Sequence, residues 1–349
     1  MARALTLAEL GWGRVHPNPL VGAVIVQDGV IVGEGWHGEF GGLHAEAMAL
    51  DAAGGSARGA TLYVTLEPCN HHGKQPPCVD AILAAGVARV VAAMSDPNPE
   101  AGGGIERLRK AGVAVELGVL GDAAERLNAP FLERFHPRSR PFTAVKLAVS
   151  LDGQIADEKG RSRWLSGEEA RAWVHRLRAG YGALGLGASS LLADNARLTV
   201  RGAVTPRQPP IRVIFDRSGR VGPAQGIFAD VENVPVWMIV NSEVPAARTA
   251  ALEQAGATVL VADGLGPALA QLRERGVESL LVEGGGRLAG ALLAEGLLDR
   301  VYQVTSPLWL GEGRQAWAGL GAPNLGEAIR WQVVERRALG ADSLLVLEP

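Results

Sequence analysis

The only two cysteines of the chain, Cys69 and Cys78, lie in one short segment, EPCNHHGKQPPC. His44 lies upstream in the segment HAE, and a predicted strand separates the two segments. One imidazole and two thiolates form a soft ligand set that suits Zn²⁺. Three protein ligands leave a fourth position open, which is the arrangement of a catalytic zinc and not of a structural one. The residues therefore predict a catalytic Zn²⁺ held by His44, Cys69 and Cys78.

Glu46 follows His44 by two residues and is predicted to act as general acid and base, not as a ligand. His44 and Cys78 each begin a predicted helix, where the helix dipole and unpaired N–H groups favour a thiolate. The pattern H-x-E, then P-C and a second cysteine, is typical of zinc-dependent nucleobase deaminases. The alternative is a closed structural zinc site, with His71 or His72 as the fourth ligand.

A glycine-rich turn in the second half is a candidate phosphate-binding site. The segment ESLLVEGGG, residues 278–286, predicts a strand that ends in three glycines, and the helix RLAGALLAEG follows. Glycines at such a junction let backbone N–H groups approach a phosphate at the helix N-terminus. The turn is not the G-x-G-x-x-G fingerprint of a Rossmann fold.

The elements that position these residues alternate between strand and helix, which predicts mostly parallel sheets with helices on both faces. The segment VGAVIVQDGVIVGEGWH predicts a hairpin that turns at Asp28-Gly29. The segment HPRSRP, residues 136–141, predicts a linker, after which a second α/β series begins. Ser166 and Glu169 predict a capping box for the helix over GEEARAWVHRLRAG. We therefore expect two domains, over residues 1–138 and 139–349.

Composition excludes several classes of protein. The chain has 349 residues and a net charge of −3, so a polyanionic partner such as nucleic acid is not expected. We find neither an apolar run of membrane-spanning length nor an export signal at the start. Two cysteines do not make a disulfide framework. These features predict a cytoplasmic protein without a membrane or nucleic-acid partner.

The spacing of the cysteines, together with a second motif, carries a family resemblance. Eight residues, NHHGKQPP, separate Cys69 from Cys78, and HPNPLVGAV occupies residues 16–24. With these segments the chain resembles the bifunctional deaminase–reductases of riboflavin biosynthesis over essentially its whole length. The resemblance implies an α/β protein with an N-terminal cytidine-deaminase-like three-layer domain and a C-terminal dihydrofolate-reductase-like α/β domain. It also implies zinc-dependent deamination of a diaminopyrimidinone that carries a ribosylamino 5′-phosphate, followed by NADPH-dependent reduction of the ribosyl group to ribityl.

The resemblance also implies residue roles. The residues implied to bind the deaminase substrate are Asn18, His37, His71, Lys74 and Asn98, with the choice between His71 and His72 left open. Those implied to bind NADPH are Ala148, Trp164, Ser190, Asp194, Gly284, Gly285, Gly286, Arg287, Leu288, Ala289, Gly290 and Ala291. Those implied to bind the reductase substrate are Ser162, Arg178, Leu198, Arg201 and Glu283. Lys146, on a predicted strand, is our candidate for steering or protonating the opened sugar.

The resemblance implies a small phosphorylated pyrimidine as the partner and a homo-oligomer, a dimer or a tetramer. Asp194-Asn195-Ala196 departs from the Asp-Asp-Pro that the family commonly has. Two alternatives are weighed, and that departure motivates only the first. One is a deaminase whose second domain does not turn over, and the other is a nucleic-acid editing module, which the net charge disfavours.

Overall fold

The computed structural model describes residues 1–73, 75–321 and 324–349. The chain divides into two compact units, Met1–Pro137 and Arg138–Pro349. Each unit has its own sheet. In the described part of the chain, no helix combines the length and the apolar character needed to cross a membrane.

In its described residues, the first unit combines five strands with six helices. Its strands are β1 (Gly22–Gln27), β2 (Val30–Trp36), β3 (Thr61–Val64), β4 (Arg89–Ala92) and β5 (Ala114–Leu117). Its helices are α1 (Ala2–Ala8), α2 (Ala45–Ala53), α3 (Cys78–Ala85), α4 (Gly104–Lys110), α5 (Gly121–Leu127) and α6 (Ala129–Leu132). Short 3₁₀ turns follow α1 and α2.

The sheet of the first unit has the order β2-β1-β3-β4-β5. The predicted hairpin is confirmed, because β1 and β2 pair in antiparallel fashion and Asp28 and Gly29 between them have φ of 50° and 80°. β1 is also antiparallel to β3, whereas β3, β4 and β5 are parallel. The expectation of a mostly parallel sheet therefore holds here only for β3 to β5.

Helix α2 lies unusually close to β2. A Cβ built on Gly35 would lie 2.3 Å from the carbonyl oxygen of Ala45 and 2.5 Å from the backbone nitrogen of Ala49. Ala45 and Ala49 are completely buried. Small residues on both elements thus bring the backbone of the helix that follows His44 onto the sheet.

The part of the second unit that the structure describes is built around eleven strands and five helices. Its strands are β6 (Phe142–Ser150), β7 (Gln154–Asp157), β8 (Ala183–Gly187), β9 (Ile211–Phe215), β10 (Val236–Val240), β11 (Thr258–Val261), β12 (Ser279–Glu283), β13 (Arg300–Ser306), β14 (Gly313–Gln315), β15 (Gln332–Leu339) and β16 (Asp342–Glu348). Its helices are α7 (Glu168–Ala179), α8 (Ala188–Asp194), α9 (Ala246–Gln254), α10 (Leu265–Glu274) and α11 (Gly286–Ala294).

Nine of these strands form one sheet in the order β11-β10-β9-β8-β12-β6-β13-β16-β15. The neighbours from β11 to β13 are all parallel, as the strand–helix alternation predicts. The last two strands, β16 and β15, form an antiparallel edge. The carboxyl ends of the parallel strands all lie at the same edge of the sheet. Ligands of open α/β sheets bind just beyond such an edge.

The predicted capping box at the start of α7 is wrong. The helix begins at Glu168 with Gly167 as its N-cap, and no side chain of its own segment caps it. Instead, the Gly167 N–H donates to Oδ2 of Asp342 at 2.7 Å. Asp342 begins β16, so a contact between distant parts of the chain replaces the local motif.

We predict that Gly35→Ala destabilises the first unit by about 1–3 kcal/mol, because the new methyl group must displace the α2 backbone. Zinc affinity should fall with it, since His44 immediately precedes that helix. Thermal unfolding and zinc titration of the purified variant measure both effects. Gly55→Ala is the matched control, because a Cβ there meets nothing within 4 Å. Equal stability of the two variants would contradict the close packing of α2 on β2.

Candidate active sites

The three predicted metal ligands converge in the first unit. His44 is the N-cap of α2, Cys78 is the first residue of α3, and Cys69 lies in the loop that follows β3. Nδ1 of His44 lies 3.3 Å from Sγ of Cys78 and 3.5 Å from Sγ of Cys69. All three ligand atoms lie within 4.8 Å of one another, as ligands of one metal ion would.

The donor set fits Zn²⁺. Two thiols and one imidazole are the ligands that zinc accepts in proteins. The Cys78 N–H also points at Sγ of Cys69 at 3.4 Å, which stabilises negative charge on that sulfur. Hydrogen bonds from the side chains of Cys78 and His44 lower the pKa of the Cys69 thiol. Among the described residues that could ligate, neither His71 nor His72 joins this group, which leaves three protein ligands and not a closed set of four.

Glu46 lies in the first turn of α2, beside the metal ligands, and is buried like the two cysteines. Only 4% of its surface is exposed. Burial, reinforced by the charge on Cys69, raises the pKa of Glu46 to about 7. A buried carboxyl with that pKa can both hold and release a proton near neutrality.

Asn18 and His37 meet next to the metal ligands. Nδ1 of His37 donates to the carbonyl oxygen of Leu43 at 2.9 Å, so Nε2 is left to accept from the Asn18 amide at 3.1 Å. The ring centroids of His37 and His44 are 5.6 Å apart. Burial lowers the pKa of His37, which keeps the ring neutral and preserves this hydrogen-bond pattern.

The other residues implied for this site have different surroundings. Nδ1 of His71 is buried and has no hydrogen-bond partner among the residues that the structure describes. Asn98 forms a turn, since its N–H donates to Oδ1 of Asp96 at 2.9 Å and its Oδ1 accepts from Glu100 N–H at 3.0 Å. Lys74 lies outside the described residues.

Sequence reasoning missed Glu67, which is buried two residues before Cys69. Its Oε1 accepts from the Ile105 N–H at 3.0 Å and its Oε2 from the Asp96 N–H at 3.2 Å. One carboxylate thus fixes both the start of α4 and the turn that contains Asn98. No local pattern signals these contacts, because their partners lie 29 and 38 residues away.

In the second unit a buried cluster of charges lies on three elements. Arg178 of α7 forms two hydrogen bonds to the Glu283 carboxylate of β12, Nε to Oε1 and, at 2.9 Å, Nη2 to Oε2. Nη1 of Arg178 also donates to the Thr199 carbonyl oxygen at 2.8 Å. Lys146 of β6 is the strand partner of Glu283. Burial lowers the pKa of Lys146, and the charge of Glu283 opposes that shift.

His175 belongs to the same cluster and was missed from the sequence. Its Nδ1 accepts from the Arg201 N–H at 3.3 Å and lies 3.4 Å from Nη1 of Arg178. His175 and Arg178 therefore hold the segment that contains Leu198 and Arg201. The signal was available, because residues three apart share one face of a helix.

The glycines after β12, at positions 284–286 and 290, have two structural roles. Gly284 and Gly285 have φ of 63° and 77°, and a Cβ on Gly285 would lie 3.0 Å from Oγ of Ser190. A Cβ on Gly286 would lie 2.1 Å from the Gln315 carbonyl oxygen, and one on Gly290 2.3 Å from that of Ala318. The first two glycines thus shape the turn beside Ser190, whereas the latter two let α11 pack against a neighbouring segment.

The remaining residues implied to bind NADPH or substrate lie on several separate segments, with Ala148 on β6, Asp194 at the end of α8 and the others in loops. Trp164 is 70% exposed, and the guanidinium of Arg171 lies 4.7 Å from its ring centroid. The backbone carbonyl of Asp194 accepts from Nη2 of Arg163 at 2.8 Å. Leu198 is buried, Ser162 and Ala148 are half-buried, and Arg201 is exposed.

Asn195, which departs from the family's usual Asp-Asp-Pro, ends α8. It has φ of 45°, a conformation that asparagine tolerates better than most residues. Its Oδ1 accepts from the Gly226 N–H at 3.0 Å. Asn195 therefore ends α8 and connects it to the segment around Gly226.

Two family models match this chain, one for each unit. Residues 1–94 match the cytidine and deoxycytidylate deaminase zinc-binding region, and this match contains all three metal ligands. Residues 141–345 match the RibD C-terminal domain, and this match contains the buried charge cluster.

Similar proteins cover the chain from end to end. Riboflavin biosynthesis protein RibD of Escherichia coli is 41% identical over 99% of this chain and 98% of its own. RibD of Aquifex aeolicus is 40% identical over 99% of this chain and 96% of its own length. The Thermotoga maritima structure of a diaminohydroxyphosphoribosylaminopyrimidine deaminase/5-amino-6-(5-phosphoribosylamino)uracil reductase is 37% identical, covers 100% and 97%, and has a TM-score of 0.81. Acinetobacter baumannii RibD is 36% identical, with the same coverage and a TM-score of 0.80.

We predict that the protein binds about one zinc ion per chain and that Cys78→Ser abolishes this binding at micromolar zinc. His72→Gln should keep the zinc, because His72 is exposed and lies outside the ligand group. Metal analysis after dialysis and titration with a zinc-sensitive dye measure both variants. Zinc lost from His72→Gln, or kept by Cys78→Ser, would contradict the three-ligand site.

Proposed function

The chain belongs to the RibD family, and from that premise we propose that its metal centre and its buried charge cluster are two separate active sites. It is a bifunctional enzyme of riboflavin biosynthesis, with a zinc-binding deaminase domain and a reductase domain that uses NADPH. We assign the deaminase to Met1–Pro137 and the reductase to Arg138–Pro349. The observation that carries the proposal is the convergence of His44, Cys69 and Cys78 beside the buried Glu46.

The reactions we propose are those named for the Thermotoga relative. The first removes the amino group at C2 of a diaminopyrimidinone that carries a ribosylamino 5′-phosphate. The second reduces the ribosyl group of the product to ribityl. Both substrates are small molecules, and we place both reactions in the cytoplasm.

Zinc bound to His44, Cys69 and Cys78 would lower the pKa of a water molecule and make it a nucleophile at neutral pH. Glu46, whose buried carboxyl lies beside these ligands, would hold the proton released there. The same carboxyl can then deliver the proton to the amino nitrogen that leaves as ammonia. Asn18 lies between two prolines, and its side-chain amide donates a hydrogen bond to His37. We propose that this amide contacts an edge of the pyrimidine.

In the second unit NADPH would supply a hydride to C1′ of the opened sugar. Lys146 is placed to steer or protonate the sugar oxygen, since burial makes its ammonium a ready proton donor. Arg178 is occupied by Glu283 and Thr199, so we assign it to positioning the segment that ends at Arg201. The exposed guanidinium of Arg201 is suited to the substrate phosphate.

A mass-resolved product assay tests both assignments at once. With the diaminopyrimidinone phosphate alone, we expect loss of ammonia, and with NADPH added, a gain of two hydrogens. Glu46→Gln should lower deamination by at least about a thousandfold while zinc content and reduction of the deaminated intermediate stay unchanged. Full deamination by Glu46→Gln would disprove its role, and absence of any product from the wild type would disprove the substrate assignment.

We predict that Lys146→Met lowers kcat of the reductase by about a hundredfold, the usual effect of losing one acid–base group. Deamination by the same polypeptide should not change, which controls for protein quality. Lys110→Met makes the same replacement at an exposed lysine of the first unit and should leave both activities intact. Steady-state assays with the deaminated intermediate and NADPH measure the effect. Unchanged reductase turnover in Lys146→Met would remove the residue from the mechanism.

A further inference from the structure

We propose that Asn128 is a positioning residue for substrate binding at the deaminase site. It acts through the segment of residues 16–20, which we call the Asn18 loop. This inference rests on the proposed function, because it takes Asn18 to be a substrate contact. Asn128 lies beyond residues 1–94, the region that the deaminase family model matches, and yet within the same compact unit.

Asn128 connects α5 to α6 and is only 2% exposed. Its Oδ1 accepts from the Leu20 N–H at 2.7 Å, and its Nδ2 donates to the Leu20 carbonyl oxygen at 3.0 Å. Nδ2 also donates to the Ala124 carbonyl oxygen at 3.3 Å. One side chain thus pairs with both main-chain groups of Leu20, as a neighbouring strand would.

The main chain of the Asn18 loop offers few N–H donors of its own. Residues 17 and 19 are prolines and have no N–H to donate. The Asn18 N–H donates to the Val15 carbonyl oxygen at 2.9 Å, which closes a local turn. Two attachments tie the loop to the end of the unit: the pair of bonds from Asn128 to Leu20, and one bond from Nη1 of Arg134 to the Pro17 carbonyl oxygen at 2.7 Å. Asn128 therefore anchors the carboxyl end of the loop to the junction of α5 and α6.

From the loop, the contacts continue to the metal centre. The Asn18 amide donates to Nε2 of His37 at 3.1 Å, and the His37 ring packs edge-on against the ring of His44. A shift of Leu20 moves Asn18 relative to a ligand of the metal. The pyrimidine would then meet a displaced amide while the metal ligands and Glu46 stay in place.

The test is the steady-state kinetics of deamination by two variants. Asn128→Leu leaves both main-chain groups of Leu20 unpaired, whereas Asn128→Asp keeps the acceptor and loses the donor. We expect Asn128→Leu to raise KM for the diaminopyrimidinone phosphate about tenfold, with kcat within about threefold. Asn128→Asp should raise KM less. Zinc content and reductase kinetics of the same polypeptide should be unchanged.

Two controls separate positioning from loss of stability. Val90→Ala removes buried volume from β4, and at temperatures where the variants are equally folded it should leave KM unchanged. A double variant with Asn18→Ala forms a thermodynamic cycle. If Asn128 acts through Asn18, the double variant should have the KM of Asn18→Ala alone.

An unchanged KM in a folded Asn128 variant would overturn the inference, and so would a rise in the KM of Val90→Ala equal to that of Asn128→Leu. The inference would also fail if the increases in KM caused by the Asn18 and Asn128 substitutions multiplied in the double variant. Asn18→Ala with a normal KM would overturn it too, because Asn128 would then hold nothing that the substrate contacts. Failure of the proposed function looks different, since the wild type itself would release no ammonia.

Discussion

Charge that is buried away from water must be balanced where it lies, and both candidate sites are organised around that requirement. In the first unit the thiols of Cys69 and Cys78 are buried with Glu46, a set of potential negative charges that a divalent cation would neutralise. In the second unit the protein supplies the balance itself, with Arg178 and Lys146 around Glu283. The two sites thus solve the same electrostatic problem, one with a metal and the other with side chains.

Most groups that carry charge lie on regular elements or at their ends, with Cys69 in the loop after β3 as an exception, whereas the residues implied to contact substrate lie mostly on loops. His44, Glu46 and Cys78 begin helices, and Lys146 and Glu283 lie on adjacent strands. Asn18, Asn98 and Leu198 lie outside helices and strands. Backbone hydrogen bonds to Leu20, Asp96 and Thr199 fix these loops. Reactive groups need rigid placement, whereas loops can adapt to the shape of a particular substrate.

Short-range patterns predicted the elements well and selected three candidate ligands whose atoms the structure brings within 4.8 Å of one another. The Asp28-Gly29 hairpin, the helix after His44 and the strand–helix series of the second unit are all present, because turn chemistry and periodicity act over a few residues. The candidate ligand set was also readable, since Cys69 and Cys78 are the only cysteines and the pattern H-x-E, then P-C and a second cysteine, is typical of nucleobase deaminases. The capping box at Ser166 failed for the opposite reason. Asp342, 175 residues away, occupies the position that a local cap would have taken.

The residues that sequence reasoning missed are united by the range of their contacts. Glu67 bonds to backbone 29 and 38 residues away, and Asn128 bonds to backbone 108 residues away. Asn128 looks like any residue between two short helices, because its function lies in its partner and not in its neighbours in sequence. His175 is the exception, since its spacing from Arg178 placed both on one helix face. Catalytic chemistry therefore shows itself in residue types, whereas the residues that hold a substrate loop in place become visible only once the chain has folded.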